Sequence, residues 1–137
     1  IETTQQAPLL RSLAVPLTLP PSSPATAVWA TDGVGGVSFG AINLQPGSPF
    51  FNFADISPSG ALGTGAFFGI GFGPAQIAQL TAPLGSHPIH ASADPTGAYF
   101  WGAPPGTLPA GLTIDVVFIE MPQTGGVVAH SATRLNF

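Results

Sequence analysis

Leu112-Thr113-Ile114-Asp115-Val116-Val117-Phe118-Ile119-Glu120-Met121 is the stretch on which the fold turns. It is rich in β-branched residues, holds one aromatic ring, and contains neither Gly nor Pro, a composition suited to a pleated strand. Alternate side chains of a strand leave opposite faces. Leu112, Ile114, Val116, Phe118 and Glu120 therefore share one face, and Thr113, Asp115, Val117, Ile119 and Met121 the other. Both faces are largely apolar. The stretch is predicted to be a central strand covered on both sides, either by its own chain or on one side by a neighbouring subunit.

Further strands are expected upstream at Thr26–Thr31, Gly36–Leu44, Pro49–Ile56, Gly65–Phe72, His87–Ala93 and Ala98–Trp101, and downstream at Gly126–Phe137. Short apolar runs at this spacing point to a sandwich or barrel. The runs are separated by turn formers such as Asp32-Gly33, Gln45-Pro46-Gly47-Ser48, Asp94-Pro95-Thr96-Gly97 and Pro104-Pro105-Gly106. These place Pro and Gly where tight turns need them. In Gly69-Ile70-Gly71-Phe72-Gly73 the alternating glycines predict close approach of another backbone, or of large rings laid over them. Helical signal is confined to Pro74–Leu80, at most two turns, opening on a proline suited to the first turn. The expected class is all-β: an antiparallel β-sandwich, jelly-roll or Ig-like, of about 8–9 strands. One domain spans residues 25–137.

Residues 1–24 stand apart as an arm or edge strand. Leu13, Val15, Leu17 and Leu19 alternate with Ala14, Pro16 and Thr18, and Pro16 lacks the N–H that pairing on both sides would require. The arm ends in Pro20-Pro21-Ser22-Ser23-Pro24, a stiff elbow. That layout suits a segment that leaves its own domain and docks elsewhere, with Leu13, Val15, Leu17 and Leu19 as the assembly contacts. The plainer alternative is an edge strand folded back on its own sandwich.

Composition narrows the function classes. Only 6% of residues are charged: two Arg, no Lys and six acids, for a net charge of −4. Ordinary soluble domains carry roughly 25%. Nucleic acid is excluded as a partner for want of a basic footprint. The absence of Cys removes disulfides, zinc–thiolate sites and thiol nucleophiles. No apolar run is long enough for a transmembrane helix. The start at Ile1-Glu2-Thr3, without Met, reads as a mature product whose signal peptide has been removed, hence secreted, extracellular or at the cell surface.

The C-terminal half carries an ordered set of motifs. They are Ala82-Pro83-Leu84-Gly85, Ala93-Asp94-Pro95-Thr96-Gly97 with Tyr99-Phe100-Trp101, Leu108-Pro109-Ala110-Gly111-Leu112-Thr113, and Ser131-Ala132-Thr133-Arg134-Leu135-Asn136-Phe137. In this order they resemble a family of secreted β-sandwich domains abundant in planctomycetes. The resemblance implies an extracellular all-β module and supplies no catalytic residues. Asp115 and His130 depart from the family pattern, which favours aromatic or aliphatic residues there.

Candidate chemistry is sparse. Asp115 and Glu120 leave opposite faces of one strand and cannot act together. A glycosidase needs two carboxyls at a set separation, and the second would have to come from Asp32 or Asp55 across the fold. His87 and His90 would point to opposite faces of a strand, which defeats a shared metal. No nucleophile elbow exists for a Ser-His-Asp arrangement. Neither catalytic residues, nor a metal, nor a cofactor is predicted. Trp29, Tyr99 and Trp101 could line a sugar-stacking platform. Two functions follow as expectations. One is a structural subunit, not an enzyme, that self-assembles into an extracellular filament, tube or surface layer, with N-terminal strand exchange as the route. The alternative is a carbohydrate-binding or adhesive module that takes a cell-surface glycan.

Overall fold

The structure, a computed structural model, describes residues 24–137. The proposed arm, with Leu13, Val15, Leu17 and Leu19, lies outside the described residues. Eight strands and one short helix follow in chain order: β1 (Thr26–Thr31), β2 (Val37–Ile42), β3 (Pro49–Ile56), α1 (Pro74–Leu80), β4 (His90–Ser92), β5 (Tyr99–Ala103), β6 (Thr113–Glu120), β7 (Val128–Ala129) and β8 (Thr133–Asn136). They form an all-β sandwich of two antiparallel sheets. One sheet has the order β1-β2-β5; the other runs β4-β3-β6-β7, with β8 also pairing β6. Among the described residues no helix is long and apolar enough to cross a membrane.

The core between the sheets follows from strand alternation. Phe39 and Ala41 of β2 meet Phe50 of β3, Ala91 of β4 and Phe118 of β6 in one buried cluster. Val37 meets Ile114, Val116 and Leu135 in a second. Rings interlock at centroid separations of 5.4 Å for Phe39–Phe118 and 5.2 Å for Phe50–Phe118, within the range of favourable aromatic pairs.

The opposite face of β6 is also buried, and by the chain itself. Val117 and Ile119 join Phe51, Phe53 and Ile70 in a third cluster, with Phe67, Met121 and Ala132 packed against it. Val117 is 0% exposed. The molecule thus has three layers: the three-stranded sheet, the five-stranded sheet, and a cover made of the segment after β3 through Phe67 and Ile70, while α1 lies along the free edge of β3. Of the two covers open to β6 in the sequence, the intramolecular one is realised.

Two segments read as strands fold otherwise. Gly65–Phe72 is a tight loop closed by paired bonds between Gly65 and Gly69 and between Phe67 and Ile70. Positive φ angles at Phe68 (53°) and Gly69 (97°) reverse the chain. The predicted close backbone approach is present: a Cβ on Gly65 would lie 2.0 Å from the Ile70 carbonyl carbon. Gly126–Phe137 is not one strand but two, β7 and β8, with His130 between them.

Candidate functional site: two uncovered apolar faces

The outer face of the three-stranded sheet is built from the residues that alternate with the core set. Register places Val28 opposite Gly40 and Gly40 opposite Phe100; the next row is Ala30, Ser38 and Gly102. Small side chains leave a shallow hollow of about 470 Å³ between them. Phe100 is 71% exposed, with its ring laid over Gly40, where a Cβ would come within 3.1 Å of two ring carbons. Val28 and Ile42 are also exposed. Its strand residues are uncharged, Asp32 borders it beyond Ala30 and Ser38, and nothing in the described residues covers it.

Along the free edge of β3, α1 is inside out. Gln76 is buried and Gln79 half-buried, while Ile77 and Leu80 are exposed. The glutamines are drawn inward by backbone groups of β3. Short β4 pairs β3 only as far as Phe51, and Asn52 N–H still reaches the Ile89 carbonyl. Beyond it Ala54 has no strand neighbour on that side. Gln79 replaces one: Ala54 N–H donates to its Oε1 at 2.8 Å, and its Nε2 donates to Ala54 O at 3.0 Å. Gln76 Nε2 adds a second bond to the same carbonyl at 2.7 Å. The polar stripe of the helix thus satisfies a sheet edge, and its apolar residues face out; Phe68 and Phe72 of the preceding loop are exposed as well.

The aromatic residues foreseen for a sugar platform point elsewhere. Trp29, Tyr99 and Trp101 are half-buried and turned toward the core. Trp29 lies 4.7 Å from Phe39, and Tyr99 4.8 Å from Phe50, between ring centroids. Their faces are spent on core packing, so the open shelf is left to Phe100. Burial pushes the Tyr99 hydroxyl above its ordinary pKa. That hydroxyl and His87 Nδ1 lie 2.8 Å apart.

The acids and imidazoles are committed locally. Asp32 Oδ1 accepts from the Val34 and Gly36 backbone N–H groups. The Asp94 carboxylate accepts from the Thr96 hydroxyl and from the Thr96 and Ala98 backbone, which holds its pKa below the usual range, the hydroxyl bond contributing most. Both therefore act as turn formers. Asp55, which the sequence left unplaced, lies directly opposite Asp115 across β3 and β6. Asp115 is 2% exposed and receives Arg134 Nε and Nη2 at 2.7 and 2.8 Å. This bond to Asp115 holds the guanidinium above its ordinary pKa, helped by the charges of Asp115 and Asp55. Asp55 Oδ2 accepts from Gly71 N–H at 3.2 Å. Both Asp115 oxygens are engaged by Arg134, and the two facing carboxylates line a hollow of about 200 Å³ beneath the glycine loop.

Glu120 meets His130 Nε2 at 2.6 Å. His90 stacks on Phe51 at 3.9 Å, and its Nδ1 contacts Ala82 O at 2.8 Å, which requires the proton on that nitrogen. His87 and His90 thus have separate partners. Asp115 and Glu120 of β6 are thus each engaged by a side chain from the C-terminal segment, Arg134 and His130. Comparison of the chain with protein-family models, curated proteins and solved structures yields no match.

Proposed function

We propose that this chain is an extracellular structural subunit that assembles with copies of itself into a filament, tube or surface layer. One observation carries the reading: two surfaces, the outer face of the three-stranded sheet and that of α1 with the loop before it, expose large apolar side chains that nothing among the described residues covers, with Asp32 and Asp55 only at their borders. Exposed apolar surface of this kind marks an interaction site. The faces differ in structure, one a flat sheet around Phe100, the other a helix and loop with Phe68, Phe72, Ile77 and Leu80. Contact between these unlike surfaces is head-to-tail, and a head-to-tail contact that does not close grows into an open polymer. The scarcity of charge and the resemblance to secreted sandwich domains agree with this reading.

The test uses two full-length variants, each blocked at one end. Phe100→Asp and the pair Ile77→Asp with Leu80→Asp should each reduce the wild-type polymer to monomer in sedimentation velocity and negative-stain images. Mixed, the two should form a dimer through their intact ends and stop there. Wild-type protein that stays monomeric at high concentration in plain buffer would refute the proposal. A second reading, glycan binding, is favoured by the exposed Phe100 ring over Gly40. It requires retention on an insoluble polysaccharide that Phe100→Ala abolishes in a monomeric wild type.

A further inference from the structure

A third apolar surface lies away from both end faces, where the described chain begins. Pro24, Leu44, Pro46, Pro122 and Val128 line a groove of about 660 Å³, a volume in the range of dedicated binding sites. One wall is β7, a strand at the edge of the five-stranded sheet, with Val127 and Val128 exposed beside it. Its outer backbone edge has no strand partner among the described residues, and such an edge is a template for strand addition. The one charged residue lining the groove is Glu120, already bonded to His130.

We infer that this groove receives Leu13–Leu19 from the N-terminal segment of a neighbouring copy. This rests on the self-assembly reading and names the segment and the acceptor through which copies are tied. Three observations support it. Residues 1–23 precede Pro24, which itself lines the groove, so every copy brings one such segment to one such site. Ser12 to Ser23 carries no charge, matching the apolar lining, and Leu13, Val15, Leu17 and Leu19 share one face of an extended chain. Pro16 lacks an N–H, which suits a strand that pairs with an edge on one side only.

The proline spacer favours a neighbour's groove over the chain's own. Pro20-Pro21-Ser22-Ser23-Pro24 favours an extended polyproline conformation of about 3.1 Å per residue. Over the five residues from Leu19 to Pro24 such a conformation would span roughly 15 Å, a length suited to reaching a neighbouring copy.

Because the chain contains no Cys, single introduced cysteines report the contact directly. Full-length Leu17→Cys and Val128→Cys proteins, mixed and mildly oxidised, should give mainly the mixed disulfide dimer, in several-fold excess over either homodimer. Thr18→Cys, on the other strand face, should cross-link to Val128→Cys several-fold less. A mixed dimer no more abundant than the homodimers overturns the inference. So does a Leu17→Cys/Val128→Cys double variant that closes only within one chain at dilution. The end-face reading fails separately: if Phe100→Asp protein assembles like wild type while the mixed disulfide forms, arm exchange stands and the end-face contact falls.

Discussion

Asp115 and Arg134 meet through two parallel hydrogen bonds, yet their surroundings differ. The carboxylate is buried, whereas the guanidinium is partly solvated and also donates to Gly60 O at 2.7 Å. Removing the arginine strands a buried carboxylate; removing the aspartate leaves a cation that keeps water and one carbonyl. Arg134→Met should therefore lower the urea midpoint more than Asp115→Asn does, and Arg134→Lys should fall between them, since an ammonium cannot form the fork. Equal midpoints would mean that the pair is not coupled to burial. Asp94 makes a prediction of opposite character, in solvent. Its pKa is lowered in the folded chain, chiefly by the Thr96 hydroxyl. Its stabilising contribution is complete above the ordinary aspartate value of about 3.9 and is lost as pH falls through the lower folded value. Wild type should lose stability in that acid window, and Asp94→Asn should remove this part of the slope, as read from urea midpoints at successive pH values. A variant curve that parallels wild type below pH ~4 would deny Asp94 that role.

At the scale of elements, α1 acts as a substitute strand. Gln79 offers the backbone of Ala54 both a donor and an acceptor, as a paired peptide group would. Gln79→Ala should leave the Ala54 N–H unpaired and cost about 1–3 kcal/mol. Gln76→Ala should cost less, because Ala54 O keeps the Gln79 bond; chemical denaturation of both variants and the double variant measures the difference. The bounds of α1 and β3 were legible in the residues, the first from Pro74 and the breakers around it, the second from Pro49 and its aromatic run. Which way α1 faces was not. Its orientation depends on β4 ending early, a tertiary fact invisible in Pro-Ala-Gln-Ile-Ala-Gln-Leu. The loop Gly65–Phe72 misled for a related reason: glycine alternating with apolar residues imitates the two-residue period of a strand. What separates loop from strand there is a chain reversal at Phe68 and Gly69, and hydropathy carries no sign of φ. Gly71 completes that geometry, since a Cβ on it would fall 2.5 Å from Asp55 Oδ2. The pairing of Asp55 with Asp115 was likewise hidden, because it rests on the β3–β6 register and on which strands neighbour each other.

For the whole molecule, the sparse charge acquires a location. Asp32, Asp55, Asp94, Asp115, Glu120 and Arg134 are each engaged in hydrogen bonds within the described chain. None of them belongs to the exposed residues of α1, and only Asp32 borders the outer face of the three-stranded sheet, beyond the row of Ala30 and Ser38. Contact between those faces would bury apolar surface without desolvating an ion, at about 25 cal/mol per Å² removed from water. Screening has nothing to act on in such a contact. Raising sodium chloride from about 0.05 to about 0.5 M should therefore leave the sedimentation profile of the assembly unchanged. Sulfate at comparable strength should favour larger species, and cooling should favour smaller ones, because apolar association strengthens with excluded salts and weakens in the cold. Dissociation on adding sodium chloride would instead place ion pairs at the contact. The end faces would then lose their role.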